Sequence, residues 1–253
     1  MNSIVLIFLL LFSCSVQSNY IRSGIDIFFN KDLSEYHGKR VSLVMNHTSV
    51  DRSGESLLSL AESKLEVVSI FTPEHGLFGK NEAGEMIAGS EYRDIPVHSL
   101  YGSQKGPSDM QLDEIDILIF DMQDIGSRFY TYVSTLTYVM QAAARNNVKL
   151  IVLDRVNPIG QKIQGPILKE GYESFVGMHP VPIRHGLTIG EFALLIKEMG
   201  WIDKSRDLNL EIIKVEGWDG GYTNFSIAPS PNIPNLETAI VYNGICLLEG
   251  TNL

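Results

Sequence analysis

Short apolar runs that end in polar residues constrain this chain more than any other feature. Residues 38–46, 66–71, 116–120, 148–153 and 208–215 are rich in Val, Ile, Leu and Phe and read as buried strands. Between and after them lie segments with helical spacing: 53–62, 130–146, 188–199 and 236–248. Thr188 and Glu191 stand at the spacing of a capping box. Continuous apolar strands alternating with helices predict an α/β fold, a parallel sheet covered on both faces. The stretch 81–106, rich in glycine, charge and turn residues, is expected to be a long surface loop.

Four of the runs end alike. Asn46 and His47 follow the first, and Glu74 and His75 the second. Asp121, Gln123 and Asp124 follow the third, and Asp154, Arg155 and Asn157 the fourth. In an open parallel sheet all carboxyl ends lie along one edge, where such folds bind ligands. A crevice holding several carboxylates and an imidazole is therefore expected. The segment Phe71-Thr-Pro-Glu-His-Gly-Leu-Phe-Gly79 sets two proton-transfer groups between strand breakers. Taken alone, the same turn is equally well read as a capping Glu beside a merely polar His.

Several chemistries lack their signatures. There is no Gly-x-Gly-x-x-Gly, no Gly-Lys-Ser/Thr loop, no Gly-x-Ser-x-Gly elbow and no His-Glu-x-x-His. Gln123 stands where an aspartyl-phosphate phosphatase would need a second Asp. The histidines are scattered, so neither a metal site nor a cofactor is expected. Paired carboxylates suit glycosidic cleavage, one acid protonating the leaving oxygen while another group activates water or attacks the sugar. Arg128, Arg155 and Arg184 are placed to hold a substrate carboxylate or phosphate, or else to pair with neighbouring Asp side chains. Tyr130 and Tyr132 offer rings for a sugar face, or belong to the core at a helix start. A net charge of −10 disfavours nucleic acid or an anionic membrane surface as the main partner.

The first residues read as an export signal. Residues 4–12 are continuously apolar but too short to span a bilayer, and small and polar residues follow up to Ser18. Leu11-Phe-Ser-Cys14 also resembles a lipoprotein box, which would anchor the chain through Cys14. Beyond the signal only Cys246 remains, so the mature chain has no internal disulfide.

The longer motifs carry a family resemblance. In order they are Pro73-Glu-His-Gly76, Phe120-Asp-Met-Gln-Asp-Ile-Gly-Ser-Arg-Phe-Tyr-Thr-Tyr132, Leu153-Asp-Arg-Val-Asn-Pro-Ile-Gly160, Pro182-Ile-Arg-His-Gly-Leu-Thr-Ile-Gly-Glu191, Pro229-Ser-Pro-Asn-Ile-Pro234 and Leu248-Glu-Gly-Thr-Asn252. The chain resembles the bacterial exo-β-N-acetylmuramidases, glycoside hydrolases formerly known only as a domain of unknown function. The resemblance implies a Rossmann-like catalytic domain over 20–205 and the start of a smaller C-terminal domain over 206–253. It implies release of terminal β-1,4-linked N-acetylmuramic acid from the non-reducing ends of peptidoglycan fragments, in cell-wall recycling outside the cytoplasm. That sugar bears a lactyl carboxylate, which gives the arginines a task. Glu74 is the implied catalytic acid, and Asp124, Asp154 and Glu170 are candidates for the second carboxyl group. His75, Asp121, Gln123, Arg128, Tyr130, Arg155, Asn157, Arg184, His185 and Asn232 are the implied substrate-binding residues. Two departures stand out: Val156 replaces a usual proline, and the family continues past Asn252, so a truncated chain is expected. The alternative is a module that binds a muramyl or other acidic sugar without cleaving it.

Overall fold

The computed structural model describes residues 20–79 and 90–251, so the expected signal, with Cys14, lies outside the described residues. The strands are β1 (Arg40–Met45), β2 (Glu66–Thr72), β3 (Ser90–Tyr92), β4 (Ile95–Ser99), β5 (Ile117–Asp121), β6 (Lys149–Leu153), β7 (Gln164–Ile167), β8 (Pro182–Arg184) and β9 (Leu210–Ile213). The helices are α1 (Gly24–Phe28), α2 (Leu57–Glu62), α3 (Asp109–Leu112), α4 (Tyr132–Asn146), α5 (Ile189–Met199) and α6 (Leu236–Ile245).

Seven strands make one sheet in the order β3-β4-β2-β1-β5-β6-β9, and β7 and β8 form a separate antiparallel pair. Within the sheet only β3 runs antiparallel to its neighbour. Renumbering the six parallel strands in chain order turns β4-β2-β1-β5-β6-β9 into 3-2-1-4-5-6, the doubly wound order. The order reverses between β1 and β5, so the ligand crevice of such a fold opens beyond their carboxyl ends.

Both faces of the sheet are buried, as the continuous apolar strands require. On β5, Leu118 and Phe120 pack toward α4 and α5, whereas Ile117 and Ile119 pack toward α1 and α2. Each such side chain contributes about 1.5–3 kcal/mol of burial, so a polar residue on either face would be costly. Thr188 caps α5 with the expected capping box, and Gly200 ends it in the left-handed region.

Two expectations need correcting. The stretch 81–106 is not one loop: β3 and β4 form a hairpin whose turn residues, Arg93 and Asp94, both have positive φ. That is a primed turn built without the glycine that normally marks one. In addition, β9 pairs with β6 as the last parallel strand. A domain boundary at residue 205 therefore falls inside the sheet.

Candidate active site

The turn after β2 carries Glu74 into a cleft. His75 and Gly76 both lie in the left-handed region, φ 71° each, and His75 holds that shape at a cost of about 1 kcal/mol. Gly79 also has positive φ, and a Cβ there would overlap the His47 ring. The cleft measures about 400 Å³ and is walled by aromatic rings, Tyr101, Phe129, Tyr130, Tyr132 and Phe175. Half-buried Glu74 is the one acidic residue on its wall among the described residues. The Tyr101 side chain is hydrogen-bonded to Glu74, and burial together with that carboxylate pushes the phenol up.

The two tyrosines at the start of α4 stand edge to face, 4.7 Å between ring centres. Tyr130 donates to the Pro229 carbonyl at 3.0 Å, and Tyr132 reaches the same oxygen at 3.4 Å. The amide of Asn46 donates to Tyr132 at 2.8 Å. Burial is the main cause that raises both phenols, so both stay neutral. His47 accompanies them, its Nε2 meeting the Ala228 carbonyl at 2.8 Å. Three side chains thus pin the segment 228–229 across the sheet edge.

Of the residues expected at the site, Glu74, His75, Tyr130 and Asn232 meet in this cleft. The rest are held elsewhere. Asp121 is fully buried and grips Arg155 with both oxygens, so this arginine pairs with its neighbour. Arg128 donates to the Pro166 and Val181 carbonyls, bracing the β7–β8 hairpin, and Arg184 donates to Gln164 at 2.9 Å. Asn157 bonds the Leu187 carbonyl and the Ile159 amide. Gln123 donates to the Asp124 and Val156 carbonyls.

The three candidates for the second carboxyl group also lie off the cleft wall. Asp154 accepts from Thr188 Oγ1, Gly190 N and Arg155 N at the start of α5. Burial raises its pKa to about 6 against those bonds. Glu170 is exposed on the connection between β7 and β8. Asp124 is buried, accepts from Gly126 N at 2.7 Å, and lies 3.6 Å from His185 Nε2. The Leu187 amide donates to His185 Nδ1, so the ring proton sits on Nε2, facing Asp124. The carboxylate pair is not assembled among the described residues.

The N-terminal family of exo-β-N-acetylmuramidase NamZ matches residues 41–237. The chain belongs to this family. It is 39% identical over 243 residues to the peptidoglycan β-N-acetylmuramidase NamZ of Bacillus subtilis strain 168, covering 92% of this chain and 58% of that protein. Two solved DUF1343 family proteins from Bacteroides fragilis share the fold. One has a TM-score of 0.82 at 36% identity, covering 90% of this chain and 60% of its own; the other has 0.79 at 35%, covering 92% and 62%. The chain therefore spans about three fifths of the length of these relatives.

For this member of the NamZ N-terminal family, the sequence missed Tyr101, Phe175 and Ser230 as cleft residues. Tyr101 follows β4 by two positions, at a strand end hidden inside the presumed loop. Both Phe175 and Ser230 lie on connections without regular structure; nothing local marked Phe175, whereas Ser230 stands inside the motif Pro229-Ser-Pro-Asn-Ile-Pro234, in which only Asn232 was expected at the site.

Proposed function

We propose that this chain is the Glu74-bearing part of an exo-acting glycosidase that releases terminal β-1,4-linked N-acetylmuramic acid from peptidoglycan fragments. The observation that carries the reading is a single carboxylate, Glu74, set in an aromatic-walled cleft at the carboxyl edge of a doubly wound sheet. Membership of the NamZ N-terminal family supports the substrate class. Aromatic walls suit the apolar faces of a sugar ring, and Asn232 and Ser230 add polar groups at the rim.

In this reading Glu74 delivers its proton to the glycosidic oxygen as the bond to the anomeric carbon breaks. Tyr101 orients that carboxyl group. Tyr130 and Tyr132, held neutral by burial, are poor nucleophiles, so they shape the wall and do not attack the sugar. Water attacks the anomeric carbon, directly or after the acetamido oxygen of the sugar has done so, and the proton that this water sheds restores Glu74. Such a substrate lies outside the cytoplasm, which fits the apolar leader and a role in cell-wall turnover.

The test is incubation with a chromogenic β-N-acetylmuramide. Wild type should release the chromophore, and Glu74→Gln should lose about a hundredfold or more with its melting temperature kept. Release that survives Glu74→Gln would remove Glu74 from its role. Calorimetric binding of N-acetylmuramic acid without any turnover would favour a binding module instead.

A further inference from the structure

A second pocket, of about 360 Å³, opens on the same sheet edge where the strand order reverses between β1 and β5. Arg52, Gln123, Arg155 and Val156 line it from the strand ends, and Phe225 and Ile227 line it from the segment that crosses the edge. This is the position at which a doubly wound sheet offers a ligand its crevice. Three residues on, Ser230 lines the Glu74 cleft, so no more than about 10 Å of chain separates the two pockets.

The donor capacity left open in this pocket belongs to its guanidinium groups. Its two acids are already occupied. Asp26 accepts from Ser23 N, Ser23 Oγ and Arg52 N, and Asp51 from Ser53 N, Ser53 Oγ and Glu55 N. Arg155 is already paired with Asp121 through Nε and Nη2, with Nη2 also on the Val50 carbonyl, and only its Nη1 edge makes no hydrogen bond among the described residues. Arg52 lies over the Tyr20 ring and has no acidic partner among the described residues. Two guanidinium edges beside Val156, Phe225 and Ile227 match a carboxylate carried on a small, partly apolar group.

We propose that this pocket is a second sugar subsite, which takes the carboxylate of an acidic sugar further along the glycan whose terminal residue lies against Glu74. The assignment rests on the glycosidase reading above. It makes the pinned segment 228–229 a divider over which the glycan passes. The chain then recognises the alternation of acidic and neutral sugars in addition to one terminal unit.

The experiment is a calorimetric titration of the Glu74→Gln protein, which holds glycans without cleaving them. The probes are the disaccharide N-acetylmuramyl-N-acetylglucosamine and the tetrasaccharide of two such units. The tetrasaccharide should bind about tenfold more tightly, a difference of about 1.4 kcal/mol. That advantage should fall below about twofold when Arg52→Gln, on an exposed side chain, or Val156→Trp, which fills the pocket, is added. Equal affinity for the two glycans, no binding of either, or an advantage that survives both substitutions would overturn the subsite. Failure of the activity reading is separate, since it shows as absence of chromophore release by wild type.

Discussion

The side-chain amide of Asn46, just beyond β1, donates to the phenol of Tyr132 at 2.8 Å, with both side chains buried. The other end of the same amide accepts from the Thr48 backbone at 2.9 Å and from the Thr48 hydroxyl at 2.6 Å. Those two donors fix which way the amide points. Tyr132 must then accept from Asn46 and send its own proton toward Pro229. Thr48 Oγ1 in turn accepts from Gln123 N. One buried amide therefore links the wall of the Glu74 cleft to the strand ends at the switch point.

Asn46→Ala should accordingly destabilise the chain. It leaves the Thr48 amide and hydroxyl without their acceptor and the Tyr132 phenol without its donor, a loss of about 3 kcal/mol. For a chain of this size that lowers the melting temperature by roughly 6–12 °C. Thermal melts followed by circular dichroism measure it. A shift below about 2 °C would mean that water satisfies these groups and that the amide is dispensable.

Tyr101→Phe tests the hydrogen bond to Glu74 without altering the ring that walls the cleft. A hydrogen bond to a charged group is worth about 1.5–3 kcal/mol, so kcat on the chromogenic substrate should fall at least about tenfold. KM and the melting temperature should stay close to wild type. Unchanged kcat would show that Glu74 is oriented by other contacts.

The sheet was legible because a strand buried on both faces must be continuously apolar, and its polar ends then fall on one edge. The same logic brought out Glu74 and His75, whereas Tyr130 stood out as a ring for a sugar face. That logic failed where a role depends on a partner distant in the chain. Asp121 and Arg155 are 34 residues apart, as are Asp154 and Thr188, so no local pattern showed which partner each of these groups takes. The β3–β4 hairpin was hidden for a different reason: its turn is Arg93-Asp94, where glycine would have been the signal.

Asp154 gives a pH dependence with a definite sign. Burial holds its folded-state pKa at about 6, above that of the unfolded chain, so the folded chain keeps the proton more tightly. Its contribution to stability is fully present below about pH 4 and is lost as pH rises through 6, by at most about 3 kcal/mol. Asp154→Asn does not titrate and keeps an acceptor for the start of α5. Denaturant melts at pH 4, 5, 6 and 7 should show the variant gaining on wild type across that range. A difference that is flat with pH would mean that the helix-start hydrogen bonds cancel the effect of burial.

The Asp121–Arg155 pair calls for a double-mutant cycle. The Asp121 side chain is wholly buried and that of Arg155 is 10% exposed. The guanidinium meets both carboxylate oxygens, the second at 2.7 Å. Burial favours the neutral acid, and Arg155 opposes it. Removing either partner strands a charge in a dry site, at a cost of about 3–5 kcal/mol. Replacing both with apolar residues removes the desolvation penalty along with the attraction. Arg155→Met and Asp121→Leu should therefore each destabilise strongly, and the double variant should lose at least about 2 kcal/mol less than their sum. The cost of Arg155→Met should also shrink between pH 8 and pH 5, because the stranded Asp121 then takes up a proton. Urea melts of the four proteins at both pH values decide the matter. Additive losses with no pH dependence would mean that the two side chains are solvated separately and that the pair does not act as a unit.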